Sequence, residues 1–193
     1  MQNHNKTRTI AGAAILTAIV IVLQLIGGAI HFGVFSISLV LVPIVIGAAL
    51  YGAWIGAWLG LVFGVMVLLT GDAAPFLAIN PLGTVLTVLV KGTCAGLCAG
   101  LVYRALEKKN QFAAVVCAAI TAPVVNTGLF LVGCVLFFLD AVTEWGKAAG
   151  FENVGTYMIT GFVGLNFLFE LLVNVILAPV IVRLVNLGRK TQK

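Results

Sequence analysis

The chain has 193 residues, of which 62% are hydrophobic and only 9% charged; a soluble domain carries about 25% charged residues. This excludes a soluble globular domain, and apolar runs that are continuous rather than alternating exclude a porin-like barrel. The net charge of +5 would point to nucleic acid in a soluble protein, but here it reports on membrane topology.

A helix needs about 20 apolar residues to cross roughly 30 Å of hydrocarbon. Six stretches meet or approach that length: 8–30, 36–52, 54–70, 83–104, 112–139 and 157–182. The expectation is an all-α membrane protein, a single domain over 1–193 made of six transmembrane helices with short cytoplasmic tails at 1–7 and 187–193. The second and third stretches are the shortest and share the hinge Tyr51-Gly52-Ala53, so they also admit reading as one re-entrant hairpin. The first stretch is too long for the apolar core of a cleaved signal peptide and is expected to be retained.

With the N-terminus inside, Lys6, Arg8, Arg104, Lys108, Lys109, Arg183, Arg189, Lys190 and Lys193 fall on the cytoplasmic side, nine of the eleven basic residues. Lys147 lies in an outer loop and Lys91 within a span. That asymmetry places both termini inside. The acids Asp72, Asp140, Glu144 and Glu152 collect outside.

Along the first span, Ala14 and Ala18 form a small-residue face, preceded by Ala11, that packs internally or receives a partner helix. Gly47, Gly52, Gly56, Gly60 and Gly64 punctuate the second and third spans, and Gly92, Gly96 and Gly100 the fourth, in the spacing that lets helices approach closely. Pro43, Pro123 and Pro179 are candidate kinks. The outer segment 71–82 has the composition of an ordered lid: Phe76, Leu77 and Ile79 would cover a pocket mouth and Asn80 would reach a ligand. The second outer segment, 140–156, offers Trp145, either as a lid contact or as an interfacial anchor.

Polar groups inside a membrane are costly without a partner or a wet cavity. Lys91 lies about 12 Å below the outer end of the fourth span and Asn126 about 20 Å below that of the fifth. Asn166, Glu170 and Asn174 recur every four residues on the sixth, hence on one face. Two arrangements answer to this set: an internal Lys91–Glu170 ion pair with asparagines bonded between helices, or a pocket open to the outside and lined by the last three helices. Polarity graded toward one side favours the pocket. Its candidate substrate-binding residues are Asn80, Lys91, Asn126, Asn166, Glu170 and Asn174.

Other chemistry is poorly supported. No Ser-His-Asp set, paired carboxylates or glycine-rich phosphate loop occurs, so neither catalysis nor a nucleotide site is expected. Cys94, Cys98, Cys117 and Cys134 all lie in spans without a nearby histidine and read as packing residues rather than metal ligands. A binding pocket without an ATPase borrows its energy from a partner or couples to an ion gradient; without an internal repeat, the partner is the better account.

The runs Thr9–Ala18, Phe35–Gly47, Tyr51-Gly52, Gly56–Gly60 and Gly83–Gly92 resemble the first four helices of the substrate-binding S components of energy-coupling factor (ECF) vitamin transporters. The resemblance covers nearly the whole chain. It implies a high-affinity binder for a water-soluble vitamin or related micronutrient in the plasma membrane, within an ABC-type importer. Its partners would be a transmembrane T component and two cytoplasmic ATPases. No cofactor of its own is implied, ATP being used by those partners. The family's Ala-x-x-x-Ala motif, matched by Ala14 and Ala18, would pack against the T component, and the vitamin would sit near the outer face. One cation, one carboxylate and several asparagines suit a small polar molecule with an anionic group, and pantothenate fits. The alternatives are a self-sufficient small secondary transporter or channel, and a membrane-embedded enzyme or assembly factor with Lys91 and Glu170 as its only catalytic pair.

Overall fold

The computed structural model describes residues 2–27, 31–32, 35–36 and 39–192. In chain order these form α1 (Gln2–Gly27), a two-stranded antiparallel hairpin β1 (His31–Phe32) and β2 (Phe35–Ser36), α2 (Leu41–Tyr51), α3 (Ala53–Thr70), α4 (Ala74–Leu77), α5 (Pro81–Leu106), α6 (Gln111–Phe137), α7 (Leu139–Ala148), α8 (Val154–Thr156), a π-helical stretch Tyr157–Phe162, α9 (Gly164–Ile176) and α10 (Ala178–Gln192). Four of these helices contain a segment long and apolar enough to cross a membrane: Thr7–Gly27, Ala53–Thr70, Pro81–Leu106 and Gln111–Phe137. Val154–Phe162 with Gly164–Ile176 makes a fifth if that bent pair is one span. The molecule is a multi-pass helical membrane protein.

Two expected spans take a different form. Among the described residues of the stretch 36–52, helix covers Leu41–Tyr51, and 37–38 lie outside the described residues. Pro43 lies in its first turn, where backbone N–H groups have no partner within the helix and a missing donor costs nothing. The stretch 157–182 is a segmented rod rather than one helix. The Val163 N–H bonds the Met158 carbonyl five residues back at 3.1 Å, and the axis turns by 43° between Phe162 and Gly164. A second break falls at Leu177, just before Pro179. By contrast α6 runs through Pro123 without ending.

α5 occupies the middle of the bundle between α3 and α6. An added Cβ at Gly56 or Gly60 would collide with the main chain of Gly96 or Gly92 respectively, and one at Gly64 with the Val88 carbonyl. The glycine rows thus let α3 and α5 touch backbone to backbone, where Cα–H groups face carbonyl oxygens. Around this seam Val20, Leu41, Ile44, Val45, Leu59, Val115 and Ile181 are fully buried. α1 is peripheral, with only 17% of its apolar window buried.

Contacts identify the two ends of the bundle. Gly12 lies against Tyr51, Gly188 against Leu50 and Gly100 against Ala53. The start of α1, the α2–α3 junction, the end of α5 and α10 therefore meet at one end, which carries Arg8, Arg104, Lys108, Lys109 and Arg183. At the other end Gly71 (φ 87°) stops α3 in the left-handed conformation, and the chain turns through α4 into α5.

Candidate polar cavity beneath an aromatic lid

A cavity of about 80 Å³ opens among α1, α3, α5, α6 and α9 beneath the segment that joins α3 to α5. Its floor and walls are set by helical spacing. α5 contributes Thr84, Thr87, Val88 and Lys91, α6 contributes Asn126, Thr127 and Phe130, and α9 contributes Asn166 and Glu170, with Val163 at the bend just before it; each helical set spaces its residues to return to one helix face. Of the expected ligand-binding residues, four line it together: Lys91, Asn126, Asn166 and Glu170.

The other two are placed elsewhere. Asn80 is the N-cap of α5, its side-chain oxygen accepting the Gly83 N–H at 3.0 Å. With Pro81 following at the first helical position, Asn80 starts a helix rather than facing the cavity. Asn174 is fully buried one turn beyond Glu170, and its amide donates to the Glu170 carbonyl at 2.8 Å. On the partner side, Ala14 and Ala18 are both exposed on α1, so their face is not consumed by packing within the bundle.

The charged groups stand apart. Among the described residues no carboxylate oxygen lies within 4.0 Å of the Lys91 ammonium. The ammonium instead sits 5.0 Å from the centre of the Phe130 ring and 5.8 Å from that of Phe63, where the ring faces attract a cation. Glu170, 2% exposed, accepts from the Asn166 amide through Oε1 at 3.3 Å. Its Oε2, Asn126 Oδ1 and Thr87 Oγ1 are buried and have no hydrogen-bond partner among the described residues. Buried polar atoms are paired in the great majority of native structures, so three orphans around one cavity are hydrogen-bonding capacity that a small polar molecule can fill. A cation held over aromatic rings and a carboxylate on another helix, each with unfilled capacity, can grip both an anionic group and hydrogen-bond donors of a small polar ligand.

The roof is aromatic. Phe76 of α4 meets Phe138 at 5.0 Å, Phe130 at 5.5 Å, Trp145 at 5.5 Å and Phe162 at 6.1 Å between ring centres. The two expected lid segments thus come together, since Phe76 belongs to 71–82 and Trp145 to 140–156. Trp145 touches the roof through Phe76. Much of 140–156 is helical, as α7, with Asp140, Glu144 and Lys147 exposed and Val142 buried. Leu77 packs on the main core and Ile79 is exposed, so Phe76 alone of the three covers the cavity.

Sequence reasoning passed over Gln24, Asp72, Thr84, Thr87 and Thr127, all of which line the cavity. Gln24 had a findable signal: it is the one amide in the first apolar span, and it is 2% exposed. Its Nε2 donates to Asp72 Oδ2 at 2.5 Å, and that oxygen also accepts from Thr70 Oγ1 at 3.0 Å.

No curated protein and no solved structure gives a significant match to the chain. The model of one family does, over residues 8–182, under the description "ECF transporter, substrate-specific component". With most of the chain matched and a polar cavity buried in a membrane bundle, the chain belongs to the family of substrate-specific components of ECF transporters.

Proposed function

We propose that the protein captures a small water-soluble micronutrient from outside the plasma membrane and hands it to an ECF energy module, a T component with two ATPases that supply ATP-driven import. Such a subunit is a transporter part rather than an enzyme. The carrying observation is the cavity itself: the Lys91 ammonium without a contact carboxylate, beside the orphaned oxygens of Glu170, Asn126 and Thr87. The bound molecule presents an anionic group to Lys91 and hydroxyl or amide N–H donors to those acceptors. Pantothenate carries both kinds of group and is our leading candidate.

Six crossings with both termini cytoplasmic suit this role. The basic end of the bundle then faces the cytoplasm and the aromatic lid faces outward. The short α2 belongs to the second crossing, and the segmented rod from Val154 to α10 supplies the sixth. The exposed Ala14–Ala18 face of α1 is the proposed seat for the T component.

Mass spectrometry of the small molecule released from protein purified out of cells, followed by pantothenate titration, tests the reading. Lys91→Ala should weaken pantothenate binding by about 2–5 kcal/mol, or roughly 30- to 4,000-fold. Replacing Ala14 and Ala18 together by Trp should leave that affinity unchanged while the T component and ATPases no longer co-purify. Release of a molecule without an anionic group, or undiminished binding by Lys91→Ala, would remove Lys91 from the site.

A further inference from the structure

The Lys91 ammonium needs something to aim it. A lysine carries a compact charge on a long flexible stem, and among the described residues no carboxylate oxygen stands within 4.0 Å to fix it. Two rings stand near it instead, Phe130 of α6 at 5.0 Å and Phe63 of α3 at 5.8 Å from the nitrogen to the ring centre. Each of the two helices that flank α5 thus supplies one. A carboxylate in contact would hold the ammonium by neutralising it. A ring face attracts the cation through its quadrupole and leaves the net charge in place.

The two rings are not equivalent. Phe63 is almost wholly buried within the main core, and its ring closes on the seam where a Cβ at Gly92 would come within 3.4 Å. Phe130 is the nearer ring, is half-buried and lines the cavity. It follows Asn126 by one turn on the same face of α6. Its neighbours belong to the roof and to the bend before α9: Phe76 meets it edge to face, at 5.5 Å and 83°, and Phe162 stacks on it at 6.0 Å and 29°. Aromatic pairs of these geometries favour particular ring orientations. The orientation of Phe130 in turn fixes where a cation is attracted to its face.

We propose that Phe130 is the positioning residue for the Lys91 ammonium and so sets the preference of the cavity for an anionic ligand. The inference rests on the reading of this cavity as the capture site and deepens it. Lys91 meets the anionic group of the ligand, and Phe130 acts through Lys91. Weakening the attraction of the ring lets the ammonium wander along its stem, and the advantage of a charged ligand over an uncharged one of the same shape then shrinks.

The test replaces Phe130 by phenylalanine carrying one, two and three ring fluorines, which drain negative charge from the ring face while nearly keeping its shape. The melting temperature of the ligand-free protein should fall stepwise, by about 2–4 °C across the series. Fluorine also alters the contacts with Phe76 and Phe162, so the same series is run with Lys91→Met, where most of that slope should vanish. Equal slopes with and without Lys91 would overturn the positioning role, as would a flat series. In a second arm, pantothenate is titrated against the alcohol in which its carboxylate is replaced by a hydroxymethyl group. The preference for pantothenate should shrink along the series by about 2- to 30-fold in total, and a preference that full fluorination leaves intact would remove Phe130 from charge selection. Failure of the unsubstituted protein to bind pantothenate would count against the leading candidate for capture, and the ligand-free arm would still decide whether Phe130 holds Lys91.

Discussion

At the scale of single residues, Lys91 is the informative group. Breaking a buried ion pair by removing one partner typically costs about 3–5 kcal/mol. Lys91 and Glu170 are not in contact at ion-pair distance, so Lys91→Met should lower stability by only about 1 kcal/mol, its cation–π contribution. Thermal unfolding of the purified protein reads this directly. A loss of about 3–5 kcal/mol that Glu170→Leu then restores would bring back the internal ion pair. Intramembrane polarity is what made Lys91, Asn126, Asn166 and Glu170 legible in the sequence, because each demands an explanation where it stands. Asn80 was legible as polar but not as a cap, since Asn-Pro ahead of an apolar run serves a helix start as well as a ligand. Thr84, Thr87 and Thr127 were not legible: a threonine within a helix can satisfy its hydroxyl on the preceding turn, as Thr121 does on the Cys117 carbonyl, so its presence alone signals nothing.

Among the elements, the α3–α5 seam gives the sharpest test. A Cβ at Gly96 would run into the Gly56 carbonyl, and main chain cannot turn aside as a side chain can. Gly96→Ala should therefore destabilise the protein by about 1–3 kcal/mol, while alanine at Gly128, where nothing lies within 4 Å, should be neutral or mildly stabilising. Equal melting temperatures for the two variants would mean that the helices separate freely. The glycine spacing announced this contact in the sequence. The segmentation of the last span was not announced, because a π turn depends on how one helix settles against its neighbours and its residues, Tyr157–Phe162, carry no breaker except Gly161. The late start of α2 had a trace in Pro43, which reads equally as a kink within a longer helix.

For the molecule as a whole, orientation is the claim to test. The basic residues gather at the end where α1 begins and α5 ends, and the aromatic lid lies at the opposite end. Cysteine at Asn110, in the short α5–α6 connection, should resist an impermeant thiol reagent in intact cells, whereas cysteine at Gly150, beyond α7, should react. The reverse order of labelling would invert the topology and put the lid in the cytoplasm. Both reporter positions are exposed, so burial does not confound the result.

The main-chain seam between α3 and α5 also fixes how the cavity can tolerate molecules of different girth. Lys91 adjoins Gly92 and Phe63 adjoins Gly64, so the wall carrying the ammonium and one of its rings is gauged by two backbones in contact. Nothing there can be trimmed or compressed. The facing wall is α9, which hangs from a π turn and a 43° bend and carries Asn166 and Glu170. Any adjustment to a wider occupant falls on that side. For the ligand proposed here, selection of the charged head would then be rigid and selection of breadth elastic, within one cavity.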